Sequence, residues 1–167
     1  MWLTSDLHFW HKNIIKYCTR PYKSVEKMNR CLIDKWNAKV DKEDHIFVLG
    51  DFSLERNPEK LKSIVNKLNG VKHLVLGNHD ELKPDQYLKI GFTSVHTSLW
   101  LPYKDKMIYL AHDPAVKTAL KKEDILFHGH VHKLWKVQPE NNLINVGVDV
   151  WDGYPVLLEN ALALLQE

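Results

Sequence analysis

Cysteine is scarce: Cys18 and Cys31 are the only two in 167 residues. Neither belongs to a C-x-x-C pattern. That argues against a disulfide framework and against a structural thiolate zinc site, and it suits a reducing compartment. No apolar run approaches the roughly 20 residues that cross a bilayer. No segment reads as a signal peptide. The expectation is a cytoplasmic chain without a membrane partner. Charge of one sign is also lacking. The formal net charge is +2, so the overall balance does not call for nucleic acid or a membrane surface. The lysine groups at Lys62, Lys67 and Lys72 and at Lys117, Lys121 and Lys122 read as solvated faces. There is no internal repeat, low-complexity tract or linker. Residues 1–167 are expected to form a single domain with a full hydrophobic core.

What the chain does have is histidine, ten residues of it. Several follow short apolar runs that read as strands. Trp2 to Ser5 leads into Asp6 and His8. Ile46 to Leu49 leads into Gly50-Asp51. Leu74 to Leu76 leads into Gly77-Asn78-His79-Asp80. Met107 to Ala111 leads into His112. Ile125 to Phe127 leads into Gly129-His130-Val131-His132. Five strand ends each deliver a metal-capable side chain, and in α/β proteins the carboxyl ends of strands form the crevice where ligands bind.

The elements between them fit that reading. Ser24 to Val40 predicts an amphipathic helix, with Val25, Met28, Leu32 and Trp36 on one face and Ser24 as N-cap. Asn57-Pro58 opens another helix, lined by Leu61, Ile64, Val65 and Leu68 and ended by Gly70. The first half thus reads β-α-β-α-β, a layered α/β arrangement. The second half is strand-rich, with Phe92–Leu101, Met107–Ala111, Ile125–His128 and Leu143–Val148 as strands. It predicts a second sheet packed on the first. A hairpin turn is expected at Pro102–Asp105, a short helix near Ala115–Lys121 and a closing helix over Leu157–Leu165.

Each site residue has a plainer use. Asp6 and His8 are two apart, so an extended backbone projects both to one side as a metal grip. They also suit a helix N-cap and a surface histidine. His11 is a substrate-contact candidate or a cap of the helix through Ile14, Ile15 and Tyr17. His96 and His128 are rivals to His112, with His128 expected in strand packing. His45 and His73 are read as surface residues.

Taken together, Asp6, His8, Asp51, Asn78, His112, His130 and His132 are too many ligands for one tetrahedral zinc. They fit two divalent ions that share one carboxylate. The nitrogen and oxygen donors, with no thiolate, suit manganese, iron, zinc or nickel. Such a pair can share and acidify a water, giving a hydroxide at neutral pH. Two ions outweigh the charges of Asp6, Asp51 and a hydroxide. The remaining positive charge suits a phosphoryl group. A carboxylate at Asn78 would cancel that excess, which is a physical reason for an amide there.

The blocks Asp6-x-His8, Gly50-Asp51, Gly77-Asn78-His79-Asp80, His112 and Gly129-His130-x-His132 resemble, in order, the motifs of the calcineurin-like metallophosphoesterase superfamily. The chain looks like a near-minimal member. The resemblance implies an α/β fold, a two-sheet β-sandwich flanked by helices in four layers. It implies Asp6, His8 and His132 on one metal, Asn78, His112 and His130 on the other, and Asp51 between them. His79 would face the leaving group, with Asp80 supporting it. Manganese is the expected metal, with iron, zinc, nickel and magnesium as alternatives. The substrate would be a phosphomonoester or phosphodiester, with a nucleotide or nucleic-acid end favoured because Trp10, Trp151 and Tyr154 could stack a base. The alternative is a non-catalytic protein-binding scaffold of the same fold. Ala111-His112-Asp113 lacks the glycine often seen beside the family histidine.

Overall fold

A computed structural model describes residues 1–166. In chain order the strands and helices are β1 (Trp2–Thr4), α1 (Ile14–Tyr17), α2 (Val25–Asn37), β2 (His45–Leu49), α3 (Pro58–Val65), β3 (Val71–Val75), α4 (Pro84–Ile90) and β4 (Ser94–His96). The second half holds β5 (Leu99–Tyr103), β6 (Lys106–Leu110), β7 (Ile125–His128), β8 (Val137–Gln138), β9 (Leu143–Asn145), β10 (Val156–Leu157) and α5 (Leu158–Ala163). Short 3-10 turns occupy Pro114–Ala119, Pro139–Asn141 and Val148–Val150.

Two five-stranded sheets result. The first has the order β10-β1-β2-β3-β4, with β1 to β4 parallel and β10 antiparallel at the edge. The second has the order β5-β6-β7-β9-β8, with β6, β7 and β9 parallel. A parallel sheet must be covered on both faces, so its strands read as continuous apolar runs. In β2, Ile46 and Val48 point to the helices while Phe47 and Leu49 point to the second sheet. The same alternation splits β7, where Ile125 and Phe127 face the first sheet and Leu126 faces outward.

The helix layer on the first sheet is held by its apolar stripes. Met28, Leu32 and Trp36 of α2 are buried, and Ser24 Oγ caps the helix by accepting from Lys27 N at 3.2 Å. Leu61, Ile64 and Val65 of α3 join the same core. Each such side chain contributes about 1.5–3 kcal/mol of burial. The expected sandwich is therefore present, with a thin fourth layer. Val116 and Leu120, at the Pro114–Ala119 turn, pack on Ala111, Leu126 and Leu143. The closing helix α5 instead sends Leu158 and Ala161 into the inter-sheet core.

Three local expectations need correction. Helix α3 stops at Val65 with Asn66 as its C-cap, so Gly70 does not end it. Gly70 sits at φ +91° in the turn before β3, where a Cβ would press on Asp44 O and Val40. Phe92–Leu101 is not one strand: β4 joins the first sheet and β5 the second, so the chain changes sheets between His96 and Leu99. Helix α4 was not expected at all. Its signals are Pro84 in the first turn, buried Tyr87 and Ile90, and Gly91 as a left-handed C-cap at φ 117°. Among the described residues no helix is long and apolar enough to cross a membrane.

Candidate metal centre

The carboxyl ends of β1, β2, β3, β6 and β7 meet along one edge of the sandwich, and every predicted ligand stands there. In one group, Asp6, His8 and His132 bring donor atoms within 4.8 Å of one another. In the other, Asn78 Oδ1 lies 3.0 Å from His112 Nε2 and 3.1 Å from His130 Nδ1. His112 Nε2 and His130 Nδ1 are themselves 3.2 Å apart. Between the groups, Asp51 Oδ2 is 3.4 Å from His8 Nε2 and 3.4 Å from His112 Nε2.

The backbone is strained to achieve this. Asp6, His8, Asp51, His130 and His132 all adopt positive φ, from 49° for His132 to 71° for His130. For a residue with a Cβ this costs on the order of 1–3 kcal/mol, and such strain clusters at functional sites. Two glycines permit the close packing. A Cβ at Gly77 would overlap Oδ1 and the amide of Asp51, and one at Gly129 would overlap Ser5 Oγ and Asp6 Oδ2.

The donor chemistry suits cations. His112 Nδ1 donates to Leu49 O at 2.8 Å, which turns Nε2 toward Asn78 Oδ1. Two lone pairs facing at that distance repel unless something positive sits beside them. Burial opposes charge on His112, but the hydrogen bond and charge of Asp51, with Asp6 and Leu49 O, raise its pKa to about 9. His8 shows the complementary signature. Burial lowers its pKa to about 2 despite Asp51, and its buried Nε2 has no hydrogen-bond partner. A buried imidazole nitrogen without a hydrogen-bond partner, 3.4 Å from a carboxylate oxygen, has the chemistry of a metal ligand.

Two residues brace the site: Arg20, which no motif marks, and Asp149, in the stretch Asn145–Trp151 that was expected to return near the site without a role of its own. Asp149 Oδ2 accepts from His132 Nδ1 at 2.9 Å. Arg20 grips the same carboxylate through Nε at 2.8 Å and Nη2 at 2.9 Å. Its Nη2 and Nη1 also donate to Asp6 O at 2.7 Å and Leu7 O at 3.0 Å. Burial would raise the Asp149 pKa, but the bonds from His132 and Arg20 hold it at about 2. The available signal was thin: Arg20 is one of three arginines in the chain.

Other predicted residues fall as follows. His79 stands beside the first group, its ring 5.4 Å from that of His8, and its amide donates to Asp51 Oδ1 at 2.9 Å. Asp80 does not take the expected role toward His79. Its carboxylate accepts from the amides of Asp51 at 2.8 Å, Phe52 at 2.9 Å and Gly77 at 2.9 Å, so it ties the β2 and β3 loops together. His11 is not a helix cap; Asn13 holds that position, and His11 Nδ1 lies 3.2 Å from His8 Nδ1 in the open groove. His128 is fully buried, and His96 is hydrogen-bonded to Ser94 at 2.8 Å, so neither rivals His112. His73 is half-buried rather than a surface residue, bonded to His45 at 2.9 Å and Ser94 at 2.7 Å.

The aromatics expected to stack a base do not line this groove. Trp10 lies under Lys60, Trp151 under Lys136 with Nε1 donating to Asn145 O, and Tyr154 under Lys35. The groove itself has a volume of about 820 Å³ and includes His8, His11, His79, His130 and His132.

Known proteins resemble this chain in sequence and fold. Residues 1–150 match the calcineurin-like phosphoesterase superfamily domain. The chain is 32% identical to an uncharacterised protein of Methanocaldococcus jannaschii, over 100% of this chain and 92% of that protein. It is 29% identical to the gene 66 protein of Mycobacterium phage L5, over 90% and 86% of the two chains. A solved structure from Aquifex aeolicus, of a protein of unknown function, superposes with a TM-score of 0.76 at 27% identity, covering 98% of each chain. An archaeal phosphodiesterase shares the fold, with a TM-score of 0.57 at 15% identity over 96% of this chain and 94% of that one. The chain belongs to the calcineurin-like phosphoesterase superfamily.

Proposed function

We propose that this chain is a phosphoester hydrolase that works with two divalent metal ions. One observation carries the reading: a single oxygen of Asp51 lies 3.4 Å from His8 Nε2 and 3.4 Å from His112 Nε2, between two otherwise separate donor groups. Asp6, His8 and His132 would hold one ion, and Asn78, His112 and His130 the other. Bound there, the ions would supply Lewis acidity to phosphoryl oxygens and make a water acidic enough to attack. The expected metal is manganese, with iron, zinc, nickel and magnesium as alternatives.

The protein's own residues do the rest. Asn78 is a neutral donor, so the site keeps a positive excess for an anionic ester. His79 is the proton donor. As the water oxygen forms its bond to phosphorus, the bond to the ester oxygen breaks and the proton of the imidazole passes to that leaving oxygen. A proton from the attacking water then restores the imidazole. Asp80 acts on this step indirectly, by fixing the loop that carries Asn78 and His79.

The test is elemental analysis of protein purified without chelator, joined to a matrix of the five metals against aryl mono- and diesters. About two ions per chain with metal-dependent turnover is the expected result. Protein with no bound metal and no turnover under any metal overturns the reading.

A further inference from the structure

We propose that Cys18, His132 and Asp149 form a further cation site, for a thiophilic ion such as zinc or cadmium, and that filling it takes His132 away from the first ion of the candidate metal centre. The site stands on its own geometry; its consequence for the first ion rests on the hydrolase reading above. The thiol of Cys18, a ring nitrogen of His132 and a carboxylate oxygen of Asp149 all lie within 4.8 Å of one another. They come from the end of α1, the loop after β7 and the turn at Val148–Val150. Bond lengths of about 2.0–2.3 Å put tetrahedral donors roughly 3.3–3.8 Å apart, so small side-chain rotations close the set. Cys18 is 5% exposed, yet it lines two cavities. One is the groove over the candidate metal centre, which His132 shares. The other, of about 360 Å³, is shared with Asp149. Three protein donors with room for a water make an exchangeable site, not a closed structural one.

The surroundings select the kind of ion. Arg20, Lys35 and Lys133 also line the second cavity. An ion held by charge alone would be repelled there. A thiolate bond overrides that repulsion only for ions that favour sulfur, so zinc or cadmium enters where manganese and magnesium do not. As the sulfur–metal bond forms, the Cys18 thiol gives its proton to water. Arg20 Nε keeps Asp149 Oδ1 at 2.8 Å, and Oδ2, which His132 Nδ1 reaches at 2.9 Å, turns to the ion. A metal at Nδ1 displaces the proton held there to Nε2, because a neutral imidazole keeps one N–H. Nε2 is the nitrogen left to face Asp6 and His8. Once protonated, it cannot ligate the first ion. One imidazole thus serves either the group in the groove or the group behind it.

The test loads the full chain with manganese and adds cadmium stepwise, up to about one equivalent, while ultraviolet absorbance is followed. A sulfur-to-cadmium charge-transfer band should grow and saturate at about one ion per chain. It should persist in Cys31→Ser and vanish in Cys18→Ser and Cys18→Ala, two small replacements whose folding circular dichroism checks. No band in the wild type overturns the site, as does a band that survives both Cys18 variants. Bound manganese, measured after desalting, should fall by about one ion per chain as the wild-type band saturates, and should hold in Cys18→Ser. A full band beside an unchanged manganese content overturns the exclusion through His132. A chain that takes up no manganese at all overturns the hydrolase reading and the exclusion with it, and the band still decides the site.

Discussion

His132 donates its Nδ1 proton to Asp149 at 2.9 Å, and the same carboxylate is clamped from behind by Arg20. The hydrogen bond leaves the other ring nitrogen of His132 free to face Asp6 and His8. Through its bonds to the carbonyls of Asp6 and Leu7, Arg20 links the first and last ligand loops. Partners of this kind set ligand orientation and typically change metal affinity about 10–100-fold.

Asp149→Ala should therefore weaken metal binding by about that factor. It also strips the counter-ion from a guanidinium whose side chain is 4% exposed. Leaving such a charge unpaired costs about 3–5 kcal/mol. Calorimetric metal titration and denaturant unfolding measure the two effects. Wild-type metal affinity in the variant would rule out a bracing role for Asp149.

Gly77→Ala tests the packing of the shared carboxylate. The added methyl would occupy the place of Asp51 Oδ1 and its amide. The loop must move, and Asp51 with it. Metal stoichiometry should fall below the wild-type value while the helical circular dichroism signal is retained. A variant that binds the full complement of metal with normal affinity would show that the β2 and β3 loops yield without disturbing Asp51.

His79→Ala separates proton donation from metal binding. Metal content should be unchanged, since no candidate ligand is removed. Turnover should drop by about 10²–10⁴-fold on an alkyl phosphoester. The loss should be much smaller with a nitrophenyl ester, whose leaving oxygen needs no proton. Equal losses on both esters would refute the assignment.

Stability should fall in mild acid because of His128. Burial lowers the pKa of this fully buried imidazole from 6.5 to about 4, partly offset by its hydrogen bond to Gly129 O. Between those two values the unfolded chain binds a proton that the folded chain does not, so stability declines as pH drops from 6.5 toward 4. A shift of that size corresponds to roughly 3 kcal/mol over the window. His128→Gln removes the titration. Urea unfolding at pH 7 and pH 4.5 should show a smaller acid loss in the variant, and parallel losses in both proteins would exclude His128 as the source.

The helices and strands of the first half were legible because their periods are clean. Met28, Leu32 and Trp36 repeat at helical spacing, and Ile46 to Leu49 is a compact apolar run that lies within β2. The break between β4 and β5 was not legible. β4 has only three residues, and the change of sheet is set by which neighbour each strand pairs with. Helix α4 was missed because only Tyr87 and Ile90 of its seven residues are buried. That stripe is too short to stand out from a loop.

The sequence by itself determined which side chains could bind metal, since residue type and the position after an apolar run fix both chemistry and placement at a strand end. It also determined the two-layer β architecture, through strands apolar on both faces. Only the tertiary structure decided that Asp80 holds backbone amides rather than His79, and that Arg20 and Asp149 stand behind His132. Tyr17 and Leu134 came to share one groove in the same way. These relations join residues up to 129 positions apart. Local propensity carries no record of such pairings; they exist only once both sheets have closed and the loops have been forced into positive φ.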